Sequence, residues 1–358
     1  MTIYNFAAGP AMMPAPVIKQ IQDELPSLHG SGMSILEVSH RGQDFEKIIE
    51  DAEADLRELM AIPDDYAVLF MQGGGTGQFA AAPMNLARQF KRIAVLDSGQ
   101  WAARADAEAR RLGFTSDVLA STKTDRYTTL PALPEPLPQD QYDYVHICVN
   151  NTIEGTMFRQ LPATETTPLV GDMSSNILAQ RYNVRDFGMI FAGAQKNLGP
   201  AGVTVVIVRR DLLGDAKHVP SAFDYQLFDA KHSLYNTPPV FAIYAVGLVL
   251  KWLKEQGGVD EMQRRNEAKS QLLYDYLDQS RLFFNPVKPA DRSITNVPFM
   301  TGDADLDAAV VTAATAHGLL NLKGHRSVGG LRASLYNAMP LAGAEALVDF
   351  LNDFEKHH

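Results

Sequence analysis

Cysteine is almost missing from this chain: among 358 residues there is one, Cys148. No intrachain disulfide can form, no thiolate cluster can hold a metal, and a reducing compartment is the simplest expectation. An excess of basic charge is missing too. Forty-two Asp and Glu against 32 Lys and Arg leave a formal charge of −10, so the average surface repels nucleic acid and anionic lipid, although a local cationic pocket remains compatible with it. Long hydrophobic runs are lacking. Val203 to Val208 and Val240 to Leu250 are too short or too interrupted to span a bilayer. The opening MTIYNFAAGPAMMPAPVIKQ has no basic stretch followed by an apolar core, so no signal peptide is expected. A cytoplasmic protein with no nucleic-acid or membrane partner follows as the expectation. The common catalytic templates GxxxxGK[ST], HExxH and GxSxG do not occur. The histidines form no pair at helical spacing, leaving aside the terminal His357 and His358, and no metal site is expected.

What is present is a globular composition, 46% apolar, in a chain long enough for one large and one smaller domain. Amphipathic helices are expected over 14–28 and 45–60, where Phe45, Ile48, Ile49, Ala52, Leu56 and Leu59 recur at helical spacing. The loop HGSGMSILEVSHRGQDF between them presents His40 and Arg41 just before a helix. From residue 66 the pattern alternates. The runs AVLFMQ, RIAVLDS, YVHICVN, TPLVGDMSS, MIFAGAQ and VTVVIVRR read as strands, with helices at about 77–90 and 101–112. Unbroken apolar runs separated by helices favour a mostly parallel sheet covered on both faces. Residues 126–140, with four prolines, read as an irregular connector. Further on, helices are expected at 240–256, 258–279, 304–317 and 342–356, and short strands at 294–299 and 331–336. The charged stretch NEAKSQLLYDYLDQ reads as a solvated helix face. The fold class is therefore α/β, with a large domain over 15–250 and a small α+β domain over 251–358 that takes in residues 1–14.

Four features carry possible chemistry. The glycine-rich turn Gly73-Gly74-Gly75-Thr76 follows a strand and opens a helix, where amide donors suit a phosphate; it is equally an ordinary tight turn. Lys196, in GAQKNLGP, ends an apolar run. It reads as a solvent-facing lysine, or as an amine whose burial frees its lone pair to form an imine. Asp172 ends TPLVGD. It can cap a turn with Ser174 and Ser175, or hold a pyridine nitrogen protonated. Trp101, after LDSGQ, offers a flat face for stacking or for packing against the sheet.

Read together, the blocks NFAAGPAMMP, SHRGQDF, MQGGGTGQFAAAPMNL, DSGQWA, NNTIEGT, DMSSNI, GAQKNLGPAG, YNTPPVFAIY and GHRSVGGLRASLYNAM occur in the order seen in one family. The chain resembles the phosphoserine aminotransferases, class V enzymes of the pyridoxal-phosphate fold type I group. The resemblance implies a large domain with a mostly parallel seven-stranded sheet, and pyridoxal 5'-phosphate as cofactor. It places the Schiff-base lysine at Lys196, the pyridine-nitrogen partner at Asp172, the stacking ring at Trp101 and the phenolic-oxygen contact at Thr152. Gly74, Gly75, Thr76 and Gln195 would hold the cofactor phosphate, with Asn236 and Thr237 reaching it from a second subunit. Thr76 stands where some bacterial members carry arginine, which leaves backbone donors and a hydroxyl at that point. Arg332 would fork onto the substrate α-carboxylate, and His325 and Arg326, with His40 and Arg41 of a partner subunit, would surround the substrate phosphate. The implied reaction converts 3-phosphohydroxypyruvate and glutamate into phosphoserine and 2-oxoglutarate in serine biosynthesis. In some bacterial members it extends to 4-phosphohydroxy-L-threonine in pyridoxal phosphate biosynthesis. A shared-site homodimer is implied as well. Three rivals compete with this reading. A cysteine desulfurase would need a mobile thiol, and Cys148 lies inside an apolar run; an alanine–glyoxylate transaminase would leave the second cationic cluster without a purpose. A nucleotide-binding scaffold would use the glycine turn alone.

Overall fold

The computed structural model describes residues 2–138, 140–214 and 218–358. In chain order the elements are β1 (Tyr4–Asn5), α1 (Ala15–Glu24), α2 (Gln43–Met60), β2 (Tyr66–Met71), α3 (Gly74–Leu86), β3 (Arg92–Asp97), α4 (Gln100–Arg111), β4 (Thr115–Ser121), β5 (Tyr144–Cys148), β6 (Leu169–Asp172), β7 (Met189–Gly193) and β8 (Thr204–Arg209). They continue as α5 (Tyr225–Ala230), α6 (Val240–Glu255), α7 (Gly258–Gln279), β9 (Asn296–Phe299), α8 (Ala304–Ala316), β10 (Leu319–Leu320), β11 (Leu331–Ser334) and α9 (Leu341–Lys356).

Seven strands form the main sheet in the order β2-β8-β7-β6-β5-β3-β4. Only β8 runs against its neighbours β2 and β7; the other pairings are parallel. The physical cause is visible in the residues. The strands β2, β5, β6 and β7 are buried at every position, as strands covered on both faces must be. The edge strand β4 departs from this. Its sequence TSDVLAS has only Ser116 fully buried, so it offers no apolar run for a sequence reading to find. Two core clusters line the two faces of the sheet. One joins Leu56, Phe70, Ile147 and Val205 to α2 and α6; the other joins Leu69, Val95, Val206 and Phe191 to α3 and α4.

A third cluster joins Phe6 to Leu273, Phe299, Val310, Leu331 and Leu347. It is reached from the N-terminus because β1 pairs in parallel with β10, Tyr4 opposite Leu319. The strands β9 and β11 pair antiparallel beside it. Helix α7 links the clusters: Val259 and Met262 pack in the first, Leu273 and Leu277 in the third. Three expectations need correction. Helix α3 begins at Gly74, not near 77, so the glycine turn is itself the first helical turn. The first helix ends at Glu24, ahead of residue 28. The stretch NEAKSQLLYDYLDQ is not a solvated face throughout, since Asn266, Lys269 and Ser270 are buried along with Leu273, Tyr274 and Leu277. The connector 126–140 holds no helix or strand among its described residues; Gln139 lies outside them.

Candidate active site at the carboxyl edge of the sheet

Strand direction brings the chemistry together. The parallel strands β3, β5, β6 and β7 end at one edge, at Asp97, Cys148, Asp172 and Gly193. Because β8 is antiparallel to β2, and Met71 pairs with Thr204, β2 ends at that edge too. Five loops therefore converge where ligands of open α/β sheets bind: 72–76, 98–101, 149–156, 173–180 and 194–203.

Lys196 lies in the turn between β7 and β8. Its Nζ donates to Thr152 Oγ1 at 2.7 Å and sits 5.1 Å from the centre of the Trp101 ring. Burial lowers its pKa, against the opposing pull of the Asp172 charge. The N-terminal segment closes over this turn, where Ala11 N–H donates to Gln195 O at 2.9 Å. Gly9 has φ +148°, and a Cβ there would press on Lys196 Cγ at 3.2 Å, so only glycine lets the segment lie this close.

Asp172 is buried at the end of β6. Its Oδ1 accepts from Ser174 N–H at 2.9 Å, the turn-capping contact the sequence allowed. Ser174 Oγ in turn accepts from Gly193 N–H at 3.0 Å, which joins the aspartate loop to the strand that leads to Lys196. Gly75, in the first turn of α3, faces the same carboxylate: a Cβ on it would lie 3.9 Å from Asp172 Oδ2. Gly73 adopts φ +96° to turn the chain into α3, which points the amides of its first turn outward beside Thr76. Trp101 stands in the first turn of α4, and its Nε1 is buried without a partner among the described residues.

Arg332, on β11, reaches across from the third cluster. Its NH1 donates to Thr152 O at 3.2 Å, so Lys196, Thr152 and Arg332 form one chain of contacts. Burial lowers the pKa of its guanidinium, and its Nε has no partner among the described residues. His325 and Arg326 occupy the loop before β11. His325 Nδ1 lies 2.7 Å from Ser327 Oγ, and Ser327 Oγ also meets the Gln100 side chain at the head of α4. Burial, then Arg332, Arg326 and Arg104, push the pKa of His325 down. His325 therefore serves this cluster as a hydrogen-bonding imidazole, and the arginines carry its charge.

Not all the expected residues meet. Among the described residues no hydrogen bond or ion pair joins His40, Arg41, Asn236 or Thr237 to Lys196, Asp172 or Arg332. The Thr237 carbonyl accepts from Gln72 Nε2 at 3.1 Å, beside the glycine turn. Gln195 turns its side chain back against Gly193, where a Cβ would meet Oε1 at 2.8 Å.

Sequence reasoning missed Arg104, whose guanidinium lies 4.9 Å from the Trp101 ring centre, and Glu154, buried beside Arg332. Helical spacing from Trp101 could have found the first. The second stands two residues after Thr152 in NNTIEGT, where nothing marks a glutamate as buried.

A flat heteroaromatic phosphate fits these residues. The Trp101 face, an uncapped Asp172 oxygen opposite Gly75, an amine with a lowered pKa and an open helix start are grouped as such a group would need. The family model for aminotransferase class V matches residues 3–347. The chain belongs to the class V aminotransferases. This aminotransferase is 64% identical to the phosphoserine aminotransferase of Lactobacillus helveticus, over all of this chain and 96% of the relative. It superposes on the phosphoserine aminotransferase of Bacillus circulans subsp. alkalophilus with a TM-score of 0.96 at 45% identity, covering 99% of each chain. The pyridoxal-phosphate-bound phosphoserine aminotransferase of Trichomonas vaginalis is 37% identical, with a TM-score of 0.92, over 98% of this chain and all of the other.

Proposed function

We propose that this aminotransferase moves an amino group between O-phospho-L-serine and 2-oxoglutarate, and in reverse between glutamate and 3-phosphohydroxypyruvate. The observation that carries the reading is the pairing of two cationic positions at one mouth. Arg332 lies beside Thr152 and Lys196, and His325, Arg326 and Arg104 gather next to it. A substrate with a carboxylate at one end and a phosphate at the other matches that pair; alanine does not.

Pyridoxal phosphate fits the site: Asp172 would hold its ring nitrogen, Trp101 would stack on its face, Thr152 would meet its phenolic oxygen, and Gly74, Gly75, Thr76 and Gln195 would hold its phosphate. When bound it supplies a carbonyl for the substrate amine and an electron-withdrawing ring. The rest is done by the chain. Lys196 Nζ takes the proton from the substrate Cα and returns it, a role that its lowered pKa favours. Asp172 keeps the ring nitrogen positive. Arg332 orients the α-carboxylate so that the Cα proton faces Lys196.

The missing contacts to His40, Arg41, Asn236 and Thr237 support a homodimer in which these residues complete the site of the partner. The chain then divides into a cofactor domain over 15–250 and a smaller one over 251–358 with residues 1–14, a division supported by the cluster that joins Phe6 to Leu273 and Leu347. A cytoplasmic setting accords with the acidic charge and the single cysteine. Among the described residues no helix is long and apolar enough to cross a membrane. The desulfurase alternative is disfavoured, because Cys148 is buried on β5 and burial raises its pKa.

Borohydride reduction of the cofactor-loaded protein, followed by peptide mapping, should place the adduct on Lys196. Lys196→Ala should lose the adduct and lower turnover by about 10³-fold or more. Arg326→Ala should cut kcat/KM for phosphoserine by about tenfold or more, with little effect on glutamate. Equal losses on both substrates would remove Arg326 from the phosphate site, and an adduct on another lysine would remove the reading itself.

A further inference from the structure

Glu154 is a buried acid for which the scheme above has no use. It is 5% exposed, and it lies in the same loop as Thr152. Its Oε1 accepts from the backbone N–H of Gln100 at 2.9 Å, the first amide of α4, so the carboxyl holds the end of the helix that carries Trp101. Its Oε2 is buried with no partner among the described residues, and so is Nε of the neighbouring Arg332. The carboxyl reaches this place only because residue 99 is glycine: a Cβ on Gly99 would stand 2.7 Å from Oε2. A buried acid with an unused oxygen beside a buried arginine with an unused N–H is costly unless a ligand or a proton completes it.

We propose that Glu154 is a positioning residue whose carboxylate takes a proton from solvent when the substrate α-carboxylate docks on Arg332, so that docking is coupled to proton uptake. The inference rests on the assignment of Arg332 as the carboxylate-binding residue. The argument is electrostatic. In the free enzyme the Arg332 cation helps Glu154 stay ionised. An arriving carboxylate cancels that help and adds a like charge in a water-poor site, and the neutral acid becomes the favoured form. The other charged and titratable groups around it pull in both directions. Asp97, at the end of β3, raises the pKa of Glu154. The Asp97 Oδ2 atom is held by the hydroxyls of Ser121 at 2.6 Å and Tyr127 at 3.2 Å. Lys196 and Cys148 face the same loop from the sheet edge and interact electrostatically with Glu154. Burial pushes the acid up to about 7 before any substrate arrives, against the pull of the Gln100 amide. A small further rise therefore changes its charge at working pH.

By linkage, a ligand whose docking takes up a proton binds more weakly as the pH rises, by at most about tenfold per pH unit for one proton. The test uses the pyridoxal-phosphate holoenzyme and 2-oxoglutarate, which has no amine and so binds that form without reacting. Titration calorimetry near pH 7 in two non-phosphate buffers of different ionisation enthalpy should record net proton uptake. The Kd should weaken severalfold between pH 6 and 8. Glu154→Gln keeps the acceptor for Gln100 and cannot titrate; it should lose most of the uptake and flatten the Kd profile over that range, and its visible cofactor absorbance should titrate as in the unmutated enzyme. Identical uptake and slope in both proteins would overturn the proposal, as would the absence of net uptake in the unmutated enzyme should the variant not fold. Failure of the underlying assignment looks different: 2-oxoglutarate would not bind, or Arg332→Ala would bind it as well as the unmutated enzyme does.

Discussion

His146 stands on β5 with its ring stacked 6.2 Å from Phe191 and edge-on to Phe79, and its Nε2 has no partner among the described residues. Burial pulls its pKa down to about 4, despite the nearby Asp172 charge. The unfolded chain protonates this histidine near pH 6.5, while the fold resists until about 4. In that window the unfolded state binds more protons, so stability is lost as the pH falls through it. The loss at pH 5 is about 2 kcal/mol from this one residue. His146→Phe keeps an aromatic ring between Phe79 and Phe191. In urea unfolding of the holoenzyme it should lose about 2 kcal/mol less than the unmutated protein between pH 7 and pH 5. Equal losses would mean that His146 accepts its proton without unfolding. The same burial explains why the one cysteine has a structural place and no nucleophilic part.

Helix α7 does more than bridge two cores. Lys269, 2% exposed, donates to the carbonyls of Leu335, Tyr336 and Met339 at 3.1, 2.8 and 2.9 Å. Asn266, one turn earlier, donates to Asn337 Oδ1 at 2.8 Å, and Asn337 N–H donates to Asn197 Oδ1 at 2.9 Å. Asn197 is the neighbour of Lys196, so α7 fixes the segment 335–339, and that segment bears on the lysine turn. Burial lowers the Lys269 pKa to about 7, and three carbonyl acceptors are what an ammonium needs to remain charged there. Lys269→Met would take the amine from all three and leave the Leu335 and Met339 carbonyls without that donor, while Tyr336 O keeps the Met339 N–H at 2.9 Å. A loss of about 3 kcal/mol or more is expected in denaturant unfolding, with kcat reduced because Asn337 shifts. A change below about 0.5 kcal/mol would show that water replaces the amine at no cost.

In the whole molecule, the open question of His40 and Arg41 becomes a matter of subunit count. Should they serve the partner's site, a heterodimer of one Lys196→Ala and one Arg41→Ala subunit contains one site with both residues intact. Two inactive or weakened proteins, unfolded and refolded together, should then recover turnover, with each heterodimer approaching about half the activity of the unmutated dimer. If Arg41 served its own subunit, no intact site would form and mixing would restore nothing. Steady-state assays of the mixture against each variant alone decide between these outcomes.

Most elements were legible in the residues themselves. Strands of a sheet covered on both faces must be apolar throughout, so β2, β5, β7 and β8 announce themselves, as do the faces of α2 and α6. The edge strand β4 did not, because half-exposed backbone pairing needs no apolar run. Of the site, Lys196, Asp172 and Trp101 could be singled out because each stands at or just beyond the end of a strand or in the first turn of a helix, where side chains reach a shared edge. The sequence by itself thus determined which segments are covered, and through its ordered blocks the family. Only the tertiary structure decided that Glu154 is buried within the field of Arg332, that Arg104 flanks Trp101, and that Lys269 is buried. The physical reason is the same in each case: a charge becomes a functional group through the neighbours that desolvate it, and those neighbours lie far away along the chain.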